Sequence, residues 1–66
     1  MCECDVYMDK DGEQEKIMDK AVSIEAKGGK LHLVGLWNDT LDINADIKEL
    51  SLLSHKIVLE KKSKEE

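Results

Sequence analysis

The sequence predicts an all-β fold, a small barrel or curled sheet of five or six short antiparallel strands. Three observations carry that prediction. Cys4, Val6 and Met8 alternate with Asp5, Tyr7 and Asp9, and the same alternation recurs along the chain, which is the period of a half-buried strand. Turn chemistry separates the alternating stretches, at Asp11-Gly12, Gly28-Gly29 and Asn38-Asp39. The chain has only 66 residues, and a chain of that size buries about 60% of its unfolded surface, enough for one domain and no more.

Each element follows from local pattern. The first strand covers residues 4–8, and Asp11-Gly12 supplies its hairpin turn. The return through Ile17 and Met18 is less regular. Val22, Ile24 and Ala26 then alternate with Ser23, Glu25 and Lys27 up to Gly28-Gly29, where two glycines permit positive φ at both central positions of a tight hairpin. The partner strand, residues 31–36, places Leu31 and Leu33 on one face and His32, Val34 and Leu36 on the other. Both faces are mostly apolar, so this strand is expected to be central. Asn38-Asp39 makes the next turn, Leu41 and Ile43 alternate with Thr40 and Asp42, and Asn44-Ala45-Asp46 is a further break. Ile47, Leu50, Leu53 and Ile57 fall at helical spacing. Ser54-His55 interrupts that run, however, and Ile57-Val58-Leu59 is short and β-rich, which favours a hairpin from residues 47–53 into 56–59. Beyond Glu60 no residue is apolar, so the reading is a single domain over residues 1–60 and a disordered tail over 61–66.

Hydrophobic residues make up 41% of the chain, but Phe is absent and Trp37 and Tyr7 stand alone. Such a core is aliphatic and thin, worth roughly 3 to 5 kcal/mol at this size, and support from a second subunit or a metal is expected. Leu31, Leu33, Val34, Leu36 and Trp37 offer apolar surface on both sides of one strand, which predicts a homodimer with Trp37 as its anchor. Fifteen acidic residues outweigh ten basic ones, all Lys, for a net charge of −5. Nucleic-acid binders draw their affinity from cations against phosphate and much of their base readout from Arg, so that class is disfavoured. No basic amphipathic segment suits an anionic membrane. The start, Met-Cys-Glu-Cys-Asp, is acidic and lacks an apolar stretch, which predicts a cytoplasmic protein with reduced thiols.

The chemistry is concentrated in Cys2-x-Cys4. Thiolate favours soft ions, and thiolate combined with deprotonated backbone nitrogen gives the planar field preferred by Ni(II) and Cu(II). With Met1 present, its amine and the Cys2 amide nitrogen and sulfur close two fused chelate rings. Without Met1, the Cys2 amine and sulfur close one. Against this stand the readings of Cys4 as a small buried hydrophobe and of Cys2 as an exposed end residue. Other motifs are weaker. An EF-hand with Gly12 at its sixth position would begin at Tyr7 and end at Met18, neither a suitable oxygen ligand, so residues 9–13 are a turn. His32 and His55 lie at no zinc spacing, and Gly28-Gly29-Lys30 lacks the setting of a phosphate loop. No nucleophile is paired with a base, and an enzyme is not expected.

Met1-Cys2-Glu3, the Val6-Tyr7-Met8 strand before Lys10-Asp11-Gly12-Glu13, the Gly28-Gly29-Lys30-Leu31 turn, and Ile47-Lys48-Glu49-Leu50 leading to His55-Lys56-Ile57-Val58-Leu59-Glu60 together resemble the CooT family of small nickel-binding proteins. The resemblance spans residues 1–60. It implies a homodimer of small SH3-like β-barrels that binds Ni(II) through Cys2 and assists nickel delivery to carbon monoxide dehydrogenase. Only Cys2 carries over as a ligand. Cys4 is outside the family pattern, and Leu36-Trp37-Asn38-Asp39 stands where relatives more often carry Leu-Phe-Gly. Similar proteins are also labelled predicted RNA-binding, which the charge argument does not support. The second function class is a non-metal interaction module that binds RNA or a protein through its barrel surface. One Met1-Cys2 end brings at most three donors where planar Ni(II) takes four. Two such ends meeting across a twofold axis are expected to close the site, the other option being a side chain or water.

Overall fold

A computed structural model describes residues 3–61. Six strands run in order: β1 (Cys4–Lys10), β2 (Glu13–Lys27), β3 (Lys30–Gly35), β4 (Thr40–Ile43), β5 (Ala45–Ser51) and β6 (Lys56–Lys61). The all-β expectation holds. The predicted disordered tail falls partly in β6, which includes Lys61, while residues 62–66 lie outside the described residues.

The strands form one sheet in the order β4-β3-β2-β1-β6-β5. It departs from expectation in two ways. The sheet is not a closed barrel, because β4 and β5 remain as edges, although its curl brings β5 against β3. Nor is every pair antiparallel: β1 and β6 run parallel, with Val6 beside Ile57 and Met8 beside Leu59. The β1–β2 hairpin occupies one side of β1, and the chain reaches the other side with β6 only after three further strands. Alternation within a strand cannot reveal that direction.

The two glycine-bearing hairpins match their turn chemistry. Asp11 and Gly12 have φ of 54° and 91°, and Gly28 and Gly29 of 56° and 82°, the left-handed pair that a two-residue turn between twisted strands requires. The break read at residues 44–46 narrows to Asn44, because Ala45 already belongs to β5 and is 2% exposed. β3 is interior but one place from an edge, so it is less central than its apolar content suggests.

Bulges explain the irregular stretches. Opposite β1, Cys4 pairs with Ala21 and Val6 with Met18, so β2 spends three steps against two. Lys20 takes up the extra residue at φ 51°, and Met18 and Ala21, three apart, are both buried. In β5, Ile47 pairs with Leu59 but Glu49 pairs with Val58, leaving Lys48 as the extra residue. Ile47 and Leu50 then share the face of Leu59 and Ile57. Their helix-like spacing is that of a bulged strand.

The core is one cluster, Val6, Met8, Met18, Ala21, Leu31, Leu33, Ala45, Ile57 and Leu59, with Cys4, Ile17, Ile24, Leu41 and Ile43 packed around it. Of the residues expected to expose apolar surface on the strand read at 31–36 and just after it, Leu31 and Leu33 are buried in this core, while Leu36 and Trp37 lie past the end of β3 at Gly35 and are exposed. On the sheet's other face the ring of Tyr7 lies under the ammonium groups of Lys56 and Lys16, 4.9 and 5.9 Å from its centroid.

Candidate functional site

Met1 and Cys2, the residues with the strongest chelating chemistry, lie outside the described residues. The segment just after them is well anchored. Cys4 opens β1, half-buried, with a free thiol and Ala21 as its cross-strand partner. The Asp5 N–H donates to the His55 carbonyl at 2.9 Å, which closes the start of β1 against the β5–β6 turn. The Asp5 carboxylate accepts from the Lys20 N–H at 3.3 Å and faces Lys16 at 3.6 Å. Lys20 reaches the Glu3 carboxylate at 3.8 Å. Asp19, hydrogen-bonded at 2.9 Å, holds the Lys16 ammonium above its usual pKa, with Asp5 contributing through space. The bulge of β2 thus folds back onto the N-terminal segment through both backbone and charge.

Beside Cys4 an apolar groove of about 310 Å³ opens between β2 and β5, walled by Val22, Ile24, Ile47, Leu50 and Leu52. Leu52 in that wall and Leu53, the next residue in the β5–β6 turn, are 73% and 96% exposed. Large aliphatic side chains in so open a position mark a contact surface rather than a packed core. The sequence contains these leucines without revealing their setting, because the bulge that turns Ile47 and Leu50 to one face has no motif.

The two histidines have different surroundings. His32 Nδ1 lies 2.5 Å from an Asp42 carboxylate oxygen across the β3–β4 pairing. His55 sits in the β5–β6 turn at φ 53° with an exposed side chain, and its backbone is the one clasped by Asp5. Sequence spacing misses its closeness to the N-terminal segment, since a parallel β1–β6 pairing brings those residues together. Among the described residues, no three His, Cys, Asp or Glu side chains converge to hold a metal.

The acidic stretch 9–13 is the turn expected of it. The Gly12 N–H donates to Asp9 Oδ1 at 3.0 Å, and Lys48 donates to the other carboxylate oxygen. Lys48 holds the Asp9 carboxyl below its ordinary pKa, and Asp9 in turn raises that of Lys48. A cavity of about 300 Å³ there is shared by Asp9, Asp11 and Glu60 with Lys48 and Lys61, an internally compensated cluster. The described residues contain no helix long and apolar enough to cross a membrane.

A family model described as CO dehydrogenase accessory protein CooT matches residues 1–60. An uncharacterized protein of Methanocaldococcus jannaschii is 30% identical over 60 residues, covering 91% of this chain and 98% of its own. The crystal structure of a CooT candidate from Carboxydothermus hydrogenoformans superposes with a TM-score of 0.88 at 24% identity, over 94% of this chain and 100% of the other. The fold is therefore shared with that protein.

Proposed function

This chain belongs to the CooT family of CO dehydrogenase accessory proteins, and from that premise we propose that it binds Ni(II) at its Met1-Cys2 end and hands nickel to a nickel enzyme such as carbon monoxide dehydrogenase. The observation that carries this reading is the family match itself, which begins at residue 1 and so includes Met1 and Cys2. Donor chemistry supports it. Amine, amide nitrogen and thiolate from adjacent residues form a planar chelate suited to Ni(II). Nickel is then cargo, and the protein's part is to present it without a closed cage.

The same reading takes the curled sheet as an SH3-like barrel left open along β4 and β5, working as a cytoplasmic homodimer. Exposed Trp37, Leu52 and Leu53 support association, and sedimentation of the reduced protein is expected to give twice the chain mass. Titration with nickel tests the function: near-ultraviolet thiolate-to-nickel charge transfer should rise to a stoichiometric end point. Cys2→Ser should abolish it, and Cys4→Ser should leave it nearly intact. The apolar groove by Cys4 favours a second reading, a protein-binding module without metal. Absence of any nickel-dependent band in the reduced wild-type protein would decide for it.

A further inference from the structure

We propose that two copies of the chain pair with Trp37 of each seated in the apolar groove beside Cys4 of the other. The inference rests on the dimeric reading above, independently of nickel, and deepens it by naming the face and the side chain that fills it. Its basis is where the fold collects its exposed apolar residues. Strand register sets Gly35 beside Ala21 and Ala21 beside Cys4, and likewise Asp5 beside Lys56 and Lys56 beside Ser51, so one row of residues marks one end of the sheet. Leu36 and Trp37 follow Gly35 past that row, and Leu52 and Leu53 follow Ser51, with Leu50 just inside it. These five residues expose roughly 600 Å² per chain, as much as the largest apolar patch of a typical monomer and close to the about 800 Å² each partner gives a standard interface.

Knob and hole are both formed. The groove of about 310 Å³ is walled by Val22 and Ile24 of β2 and by Ile47, Leu50 and Leu52 of β5 and its turn, with no Asp, Glu, Lys or His among the described residues of its lining. An indole entering it desolvates no charge. Trp37 is 67% exposed on a turn whose backbone is fixed: the Gly35 N–H donates to the Asp39 carbonyl at 2.7 Å, the Asn38 N–H to the Gly35 carbonyl at 3.0 Å, and the Leu36 N–H to the Lys20 carbonyl at 2.9 Å. The Asp39 carboxylate lies where a β-carbon on residue 35 would stand, so the turn needs its glycine. A turn so held loses little freedom on docking. The bond to Lys20 also sets it next to Ala21 and Val22 in the groove's β2 wall. Because knob and hole adjoin at the same end, one twofold axis between them satisfies both contacts at once, the self-complementary arrangement that closes a pair.

Sedimentation and the emission of the lone tryptophan test the inference in reductant and chelator, where neither disulfide nor metal joins chains. Wild type is expected to give twice the chain mass, with Trp37 emission shifted to the blue and shielded from acrylamide, and both effects should reverse on dilution. Trp37→Ala should weaken association at least about thirtyfold, as loss of a central aromatic anchor does. Leu52→Asp should weaken it similarly and leave Trp37 emission red-shifted at every concentration. Both positions are mostly exposed, and far-ultraviolet circular dichroism checks that the variants fold. Mixing the two variants restores one intact Trp37 facing one intact groove, so the mixture should associate more tightly than either alone. A wild-type dimer whose Trp37 stays open to acrylamide, or a Trp37→Ala chain that pairs as tightly as wild type, would overturn the contact and leave the dimer standing. A wild type monomeric at every concentration would overturn both and leave this end to a different protein. Mass climbing beyond two chains would overturn the closed pair in favour of head-to-tail stacking.

Discussion

At the level of single residues, Asp9 joins parts of the chain that no local pattern connects. Its side chain is 7% exposed and receives Lys48 from β5 and the Gly12 N–H from its own turn. Because its folded pKa is lowered, the carboxylate stabilises the fold above the unfolded value, near pH 4, and that contribution is lost as pH falls through the lower folded value. Thermal unfolding of Asp9→Asn should therefore show a lower midpoint than wild type at pH 7. The difference should shrink as pH falls below about 4 and the wild-type carboxylate protonates. A constant difference over that range would assign the loss to packing instead. The turn at residues 9–13 is legible in the sequence, because Asp11-Gly12 is strong hairpin chemistry. The Lys48 contact is not, since it depends on a register fixed by β6. Met1 and Cys2 are legible as candidate chelators from donor chemistry alone, whereas the backbone bond from Asp5 to His55 needs the fold.

Among the elements, bulges decide which side chains face inward. A bulge resets the two-residue alternation, so residues three apart on one face imitate a helix, as buried Met18 and Ala21 do in β2 and exposed Ile47 and Leu50 do in β5. Strands are still favoured there by the Ser54-His55 interruption and the β-rich run after it. In β2 one extra residue, opposite the Cys4–Val6 step of β1, falls at Lys20, a non-glycine at φ 51°. A left-handed backbone costs an L-residue roughly 1 to 2 kcal/mol, and a β-branched side chain suffers most. The ion pair from Lys20 to Glu3 is open to solvent at Lys20 and half-buried at Glu3 and offsets at most about 1 kcal/mol. Urea unfolding should place Lys20→Gly at or up to about 1 kcal/mol above wild type, with Lys20→Val about 1 to 2 kcal/mol below it. If Gly and Val prove equally destabilising, the Lys side chain matters more than the backbone. Strand direction is the other illegible property of the elements: alternating Val6 and Met8 pack against Ile57 and Leu59 equally well from a parallel or an antiparallel neighbour, and only the whole connection selects one.

For the molecule as a whole, the thin core sets how much it depends on what it binds. Nine buried side chains from five strands make up the cluster, and Leu33 within it is 0% exposed. Leu33→Ala should cost about 2 to 5 kcal/mol, comparable to the roughly 3 to 5 kcal/mol such a core supplies, so circular dichroism is expected to find the variant largely unfolded at 37 °C. A ligand that binds only the folded state counteracts that weakness. At free nickel a hundredfold above its dissociation constant, linkage adds about 2.7 kcal/mol, and for a domain of this size each kcal/mol moves the midpoint by about 4 to 8 °C. Nickel should accordingly raise the wild-type midpoint by roughly 10 to 20 °C at neutral pH. The proposed chelate sheds protons from amide and thiol as it forms, so the shift should fade as pH drops below neutrality. Cys2→Ser should show none at any pH. Calorimetry of both proteins with and without nickel makes the comparison, and an equal shift in Cys2→Ser would move the metal away from the N-terminal thiolate to another part of the chain.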